Sequence, residues 1–273
     1  MWLIVNLFDS HAHLDDEQFD NDRETIVDEI LAEMKGFITA GYSLEASREA
    51  VKLSKKYNDV YSTCGISPND IPQSENEMWK SIDEIYKLVK ENMDTKKIVA
   101  IGEIGLDYYW EKDLDRRDLQ KKAFVRQIEI ANELNLPIVI HAREAVMDTL
   151  EILKNNPVKI KGVFHCCPLN RELVKEALKL GFYISFAGPV TFKNSKNADE
   201  IINMVPNDKM LIETDSPYLA PEPVRGTRNN PMNVKYVAMK IASVKSLSLE
   251  EVADITYENV KKCFDFFKVP VQH

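Results

Sequence analysis

Short apolar, β-branched runs alternate with longer amphipathic stretches along nearly the whole chain. The stretch at residues 23–34 places Ile26, Ile30 and Met34 on one stripe, which is the spacing of a helix that covers a sheet. The apolar runs are typical of strands that are buried on both faces. The eight predicted strands occupy residues 3–9, 36–40, 60–65, 98–102, 138–141, 162–165, 182–186 and 210–215.

Helical patterns follow most of these strands, and two more follow the last one. They occupy residues 23–34, 45–57, 78–92, 115–134, 144–154, 171–180, 234–244 and 249–267. Such alternation is typical of parallel β/α units. Because no linker of disordered composition interrupts it, we predict an α/β fold, a single (β/α)8 TIM barrel with C-terminal helices, rather than two doubly wound halves. We expect residues 1–273 to form one domain.

Composition and charge narrow the class of protein. The chain has 273 residues, of which 44% are hydrophobic and 29% charged, as in ordinary globular enzymes. The formal net charge of -9 repels polyanions, which argues against a general DNA-coating role. An enzyme that acts on a nucleic-acid end stays possible if metal ions or a local positive pocket offset that charge. No run reaches the roughly 18 apolar residues that span a bilayer, so we expect no membrane partner.

The cysteines and the first residues indicate the compartment. Cys64, Cys166, Cys167 and Cys263 lack the spacing of a zinc knuckle or a secreted disulfide framework. We expect reduced thiols, as in cytosolic proteins. Residues 1–8 are apolar but few, and no basic segment precedes them, so they do not resemble a signal peptide. The predicted location is therefore cytoplasmic.

Polar residues able to bind metal stand at or just beyond the ends of five predicted strands. His11 and His13 are separated by one residue, so their side chains lie on the same side of an extended chain, because side chains alternate across a strand. The ends of barrel strands converge on one face, where barrel active sites are built. We therefore expect one pocket to contain His11, His13, Glu103, His141, His165 and Asp215.

Four imidazoles and two carboxylates suit a pair of divalent ions that share a bridging carboxylate. We assign His11, His13 and Asp215 to one ion, His141 and His165 to the other, and Glu103 to the bridge. Zinc, manganese, cobalt or nickel suit these donors, and magnesium remains possible. Taken singly, each residue has a structural alternative, such as a core histidine or an ion-pair partner. The coincidence of all six at strand ends favours a site.

Five segments resemble the signature blocks of the TatD family of metal-dependent deoxyribonucleases, within the amidohydrolase superfamily. They occur in the family's order and span nearly the whole chain. They read Asp-Ser-His-Ala-His at 9–13, Gly-Glu-Ile-Gly-Leu-Asp-Tyr at 102–108, Ile-His-Ala-Arg at 140–143, Phe-His-Cys at 164–166 and Glu-Thr-Asp-Ser-Pro-Tyr at 213–218. The resemblance implies a barrel with a two-metal hydrolase site at the six residues above.

The resemblance also implies a reaction, the hydrolysis of phosphodiester bonds in DNA, typically as an exonuclease. The expected partner is a DNA end or another phosphodiester, and no obligatory protein partner is implied. A water activated by the ions would attack phosphorus, with Asp215 and Glu103 as catalytic residues and Asp215 as general base. Arg143, Arg225 and Arg228 would hold phosphate oxygens, solvated surface charge being the alternative.

Further residues in the resembling blocks have supporting roles. Asp9 and Asp107 would orient metal-bound histidines or close hydrogen bonds at strand ends. The aromatic residues 108–110 offer a face for a terminal base, although packing is the commoner role of such a cluster.

Two loops depart from the family pattern. After the third strand the family usually has Gly-x-His-Pro-His, whereas residues 65–69 read Gly-Ile-Ser-Pro-Asn, with Ser67 and Asn69 in place of both histidines. After the eighth strand, Thr227 replaces a basic residue and Asn230 an acidic one. These positions lie outside the expected ligand set, so we expect the metals to be retained and the substrate preference or nuclease rate to change.

Two other functions stay open at this point. A hydrolase of carboxylic esters or amides, for instance of an aminoacyl group, is compatible with the same ligands because a metal pair can also polarise a carbonyl. If the chain were a non-catalytic metal-binding barrel, we would expect at least one of the six ligand residues to be replaced, and all six are present. Substrate profiling distinguishes the two hydrolases.

Overall fold

Eight parallel strands pair in chain order, each with the strands before and after it. In the computed structural model, which describes residues 5–265, they are β1 (Asp9–Ala12), β2 (Phe37–Ala40), β3 (Val60–Cys64), β4 (Ile98–Asp107), β5 (Ile138–Arg143), β6 (Val163–Phe164), β7 (Tyr183–Phe186) and β8 (Met210–Ile212). Between β1 and β8, the Asp215 amide donates to the His11 carbonyl at 3.0 Å and the Ser10 hydroxyl to the Ile212 carbonyl at 2.9 Å. The strands thus form a nearly closed barrel, and the predicted fold class is confirmed.

Helices connect successive strands, and two follow the last. They are α1 (Arg23–Glu33), α2 (Leu44–Lys56), α3 (Glu75–Asn92), α4 (Leu114–Leu134), α5 (Val146–Asn155), α6 (Arg171–Lys179), α7 (Ala198–Met204), α8 (Val234–Lys245) and α9 (Leu249–Phe264). Side-chain caps begin several of them: Ser43 starts α2, Ser74 starts α3 and Ser248 starts α9 in a capping box. None of the helices in residues 5–265 is long and apolar enough to cross a membrane. All four cysteines are free thiols.

The lower part of the barrel interior is filled by a small apolar cluster. Ile38 of β2, Val139 of β5 and Leu211 of β8 belong to it, together with Val260 and Cys263 of α9. Strands that are not neighbours in the sheet can share a cluster only across the barrel. The end of α9 therefore closes the amino-terminal mouth, and the opposite mouth is left for polar residues.

Two strands differ most from their predicted bounds, whereas each of the other six differs by one to three residues at one or both ends. Of the first, predicted at 3–9, residues 1–4 lie outside the described part of the chain, and pairing with β2 begins only at Asp9. The strand is thus formed by the polar Asp-Ser-His-Ala segment itself. β4 continues five residues past the predicted end at 102 because it keeps pairing with β5, where Gly105 lies opposite His141. A side chain at Gly105 would lie 2.0 Å from the His141 carbonyl oxygen, so only glycine permits this pairing.

The helix α7 between β7 and β8 was not predicted at all. It has only seven residues and follows a polar loop, so its apolar stripe is too short to show a helical period. The last helix was predicted to occupy residues 249–267, but α9 ends at Phe264, where Asp265 with φ = 48° forms the C-cap. Residues 266 and 267 lie outside the described part of the chain.

Candidate metal centre

The side chains that point into the barrel change from apolar to polar toward the carboxyl ends of the strands. His141 follows Val139 by two residues on β5, and His165 follows Val163 by two residues beyond β6. Because side chains two apart on a strand share a face, the histidines point into the barrel above the apolar residues. All six predicted ligand residues meet in this polar part of the barrel, and their donor atoms form three overlapping groups.

The Glu103 carboxylate lies at the middle of the cluster. Its Oε1 is 2.9 Å from His141 Nδ1 and 3.4 Å from His165 Nε2. Its Oε2 is 3.4 Å from His11 Nε2 and 3.7 Å from His13 Nε2. One oxygen thus faces each pair of histidines. Glu103 reaches this position from within β4 and not from its end, because the strand continues beyond it.

The sixth residue, Asp215, completes the side of the cluster formed by the first strand. Its Oδ1 lies 3.3 Å from His13 Nε2 and 3.7 Å from His11 Nε2. The backbone of Asp215 has φ = 57°, a left-handed conformation that non-glycine residues rarely adopt. Such strain is usually found where a side chain has to be aimed at a site, and here the carboxylate is aimed at the histidine pair.

Three of the four imidazole rings contact an oxygen atom on the side that faces away from the middle of the cluster. The other nitrogen of each of these rings faces the middle. His13 Nδ1 lies 2.8 Å from the Ala40 carbonyl, and His141 Nε2 lies 3.0 Å from Asp107 Oδ2. His165 Nδ1 is 3.4 Å from Glu213 Oε1. The contacts of His13 and His141 are hydrogen bonds, and such an outer acceptor holds the ring proton and leaves the inner lone pair available to a metal ion. The contact of His165 with Glu213 is within ion-pair distance but is not a hydrogen bond.

The two carboxylates of the cluster are ionised although they are largely buried. Burial alone would lower the pKa of His13, but its contact with Asp215 raises it to about 9. Burial would raise the pKa of Asp215, whereas His13 lowers it to about 2. The pKa of Glu103 also lies well below its usual value, because the surrounding imidazoles, first that of His165, outweigh its burial. The carboxylates are therefore ionised and paired with a protonated His13, and a divalent cation that binds here would displace that proton.

The donor set fits divalent metal ions. Three groups of donor atoms each lie within 4.8 Å of one another: His11, His13 and Glu103; His11, His165 and Asp215; Glu103, His141 and His165. Imidazole nitrogens and carboxylate oxygens are the ligands of catalytic sites of zinc and similar metals. The buried Nδ1 of His11 has no hydrogen-bond partner among the described residues.

Asp107 and Asp9 stand behind the cluster in two different ways. Asp107 contacts an imidazole, that of His141, and this contact outweighs burial and lowers the pKa of Asp107 to about 2. No imidazole nitrogen among residues 5–265 forms a hydrogen bond or ion pair with Asp9. Its Oδ1 accepts the amides of His11 at 3.1 Å and Thr214 at 3.0 Å, which joins the ends of β1 and β8. Of the two roles predicted for these residues, Asp107 has the geometry of the first and Asp9 of the second.

A cavity of about 740 Å³ opens above the cluster at the carboxyl ends of the strands. Arg143 is among its lining residues, together with Ser67 and Asn69 of the loop that departs from the family pattern. The other two predicted phosphate-binding residues do not line this cavity. Arg228 pairs with Asp22 at 2.5 Å, and the Arg225 guanidinium lies 4.2 Å from the centre of the Phe192 ring. The structure thus brings one of the three arginines to the cluster.

Two contacts of the site were not predicted from the sequence. Glu213 is fully buried, and its Oε1 lies against His165 and accepts the Cys166 amide at 2.6 Å. Its position two residues before Asp215 at a strand end was the available signal, because alternation places both on one face. Asn69 donates to Asp107 Oδ2 at 3.1 Å, the oxygen that also contacts His141. Nothing in the sequence indicated that pair, since the two residues are 38 positions apart.

Comparison with known proteins agrees with this geometry. A sequence model of the TatD related DNase family matches residues 8–265. The uncharacterized metal-dependent hydrolase YabD of Bacillus subtilis strain 168 is 42% identical over 262 residues, which cover 94% of this chain and 98% of YabD. The 3′-5′ ssDNA/RNA exonuclease TatD of Shigella flexneri serotype 5b is 32% identical over 265 residues, which cover 94% of this chain and 98% of that protein.

The fold has a counterpart among solved structures. The crystal structure of YjjV, a TatD homologue from Escherichia coli K12, superimposes with a TM-score of 0.87 and covers 98% of this chain and 100% of that one. The two sequences are 22% identical, so this likeness shows the shared barrel and no more.

Proposed function

This chain belongs to the family of TatD related DNases and is a metal-dependent hydrolase, and on that premise we propose that it removes nucleotides from the ends of single-stranded nucleic acid. The observation that carries the proposal is the cluster of four imidazoles and two carboxylates around Glu103 below an open cavity. The exonuclease TatD of Shigella flexneri, a relative over nearly the full length, supplies the substrate class.

We assign two divalent ions to the cluster, on either side of Glu103. One would be held by His11, His13 and Asp215, and the other by His141 and His165. The ions would neutralise charge on the phosphoryl oxygens and activate the attacking water. The two oxygens of Glu103 support a bridging role, since each faces a different pair of histidines.

The protein's own residues supply the remaining steps of the proposed reaction. Asp215 would take a proton from the attacking water, a role supported by the 15% exposure of its side chain and its place in the cavity lining. Asp107 holds His141 in one orientation by its 3.0 Å contact. The Arg143 side chain at the cavity wall would donate hydrogen bonds to a phosphate oxygen of the substrate.

The cavity has the size of a site for one nucleotide, because pockets for small molecules commonly measure about 300–1,000 Å³. Its lining includes Ser67 and Asn69, which already have partners: the Ser67 hydroxyl donates to Asp70 at 2.6 Å and Asn69 donates to Asp107. We expect these neutral side chains to give a substrate preference different from that of relatives with histidines there. The location proposed for this activity is the cytoplasm.

The proposal is tested by metal analysis of the purified protein and incubation with end-labelled single strands, duplexes and RNA. We expect stepwise shortening of single strands that requires a divalent metal. Asp215→Asn should abolish it, whereas Asp208→Asn, the same change at the other end of β8, should not. Intact strands under all metals tested, with hydrolysis of an aminoacyl ester instead, would support the ester or amide hydrolase in place of the nuclease.

A further inference from the structure

Exposed large apolar side chains collect around the mouth of the cavity. Of the eight in the described part of the chain, six follow the carboxyl ends of β4, β5 and β8: Tyr109, Trp110, Leu114, Met147, Tyr218 and Leu219. Trp110 is 66% exposed and yet lines the cavity. A large exposed aromatic surface beside a polar site usually marks a place of binding. A ligand of Trp110 should therefore have an apolar face and lie next to the polar cluster.

The backbone of Trp110 is fixed to the metal cluster by a single carboxylate. Asp107 Oδ1 accepts the amides of Tyr109 at 2.9 Å and Trp110 at 3.1 Å, and Asp107 Oδ2 contacts His141. The loop that carries the indole therefore has a set position relative to the reacting centre. A surface for nonspecific apolar contacts would not need a fixed position relative to the metal cluster.

A cation lies beside the two aromatic rings. The Arg143 guanidinium is 3.9 Å from the centre of the Tyr109 ring and 5.6 Å from that of Trp110. Among residues 5–265 no carboxylate pairs with it, whereas Arg228 on the neighbouring rim is paired with Asp22. Arg143 is thus held by stacking and keeps its charge available to an anion.

We propose that Trp110, with Tyr109 and Arg143, forms a subsite for the unpaired nucleobase next to the scissile phosphate, a subsite that rests on the proposed nuclease function. The base would stack on the indole, while Arg143 would bind the phosphate attached to the same nucleotide. Only an unpaired end presents a free base face, so the subsite selects single strands over duplexes. Stacking of one base on one aromatic side chain commonly changes affinity by roughly 5- to 150-fold.

The test compares two oligothymidylates of equal length, one ending in thymidine and one in a base-free tetrahydrofuran nucleotide. For the wild-type protein we expect kcat/KM for the terminal cleavage to be about tenfold higher with the base present. Trp110→Ala should cleave both ends at the same, lower rate, and Trp110→Phe should keep most of the preference. Met239→Ala, which truncates an apolar residue of α8 that is 51% exposed, is the matched control.

A binding measurement keeps the inference separate from turnover. Strands with phosphorothioate terminal linkages resist hydrolysis and keep the negative charge that Arg143 would bind. The strand with a terminal base should quench tryptophan fluorescence in the wild-type protein but not in Trp110→Phe. If Trp110→Ala retains the wild-type preference, or if base-free strands quench equally, the subsite is wrong although the nuclease stands. Quenching without cleavage of either substrate overturns the nuclease and leaves the subsite. Neither cleavage nor quenching overturns both.

Discussion

Replacing Asp107 by asparagine changes one carboxylate oxygen into an amide nitrogen at the point where two donors meet. Asp107 Oδ2 now lies 3.0 Å from His141 Nε2 and 3.1 Å from Asn69 Nδ2. In Asp107→Asn the amide oxygen can keep the two backbone amides that Oδ1 accepts, so the new NH2 group faces the imidazole and Asn69. The proton on His141 Nε2 then loses its acceptor, and the ring nitrogen that faces Glu103 loses its assured lone pair.

The expected magnitude follows from the contact that is lost. Hydrogen bonds to a charged group are worth about 1.5–3 kcal/mol, and the pKa of Asp107 at about 2 means that the group is charged at neutral pH. That free energy corresponds to a factor of roughly 10–150. Carboxylates behind metal-bound histidines commonly contribute about 10–100-fold to metal affinity. We expect a loss in this range, confined to the ion next to His141 and His165.

Metal titration of the apoprotein by calorimetry, with kcat/KM on a labelled single strand, measures both effects. One of two binding events should weaken in Asp107→Asn while the other keeps its affinity. Asp115→Asn, the same change on the exposed first turn of α4, is the control and should match the wild-type protein. If Asp107→Asn binds metal and turns over substrate like the wild-type protein, the contact with His141 does not support the metal centre.

The remaining predictions concern the ligands, the metal, the changed loop and the core. Glu103→Ala should lower hydrolysis by orders of magnitude with an unchanged circular dichroism spectrum, and wild-type turnover would contradict its bridging role. A chelator should abolish hydrolysis reversibly and lower the melting temperature, because bound ions stabilise the folded state, whereas full activity in the chelated protein would refute metal dependence. Ser67→His combined with Asn69→His should change the exonuclease rate or substrate range, and an unchanged profile would count against a role for this loop. Phe164→Ala removes a fully buried ring that packs edge-on against Phe182 and should lower the free energy of unfolding by about 3–5 kcal/mol in urea, so an unchanged midpoint would contradict its place in the core.

The fold and the position of the candidate site could be predicted because the same residues determine both. A run such as Ile138–Ile140 predicts a buried strand, and a histidine directly after it predicts a side chain at the barrel mouth. The prediction was wrong for the first strand, which consists of Asp9–Ala12, with the apolar run before it. Polar residues that serve a site can form a buried strand that hydrophobic patterning does not detect.

Contacts between distant loops could not be predicted, because they depend on how far each loop extends above the barrel. Arg143 ends β5 and Arg228 lies in the loop after β8, yet Arg143 lines the cavity and Arg228 pairs with Asp22. The stacking of Arg143 on Tyr109 depends on the extension of β4 beside β5, which rests on the close approach at Gly105. Sequence spacing alone does not contain this information.

The most direct test of the metal centre is a crystal structure of the protein grown with manganese or zinc, with the ions located by anomalous scattering. We expect two peaks on either side of the Glu103 carboxylate, one against His11, His13 and Asp215 and the other against His141 and His165. No peak at Glu103, or a single ion that His141 and His165 do not contact, would contradict this assignment.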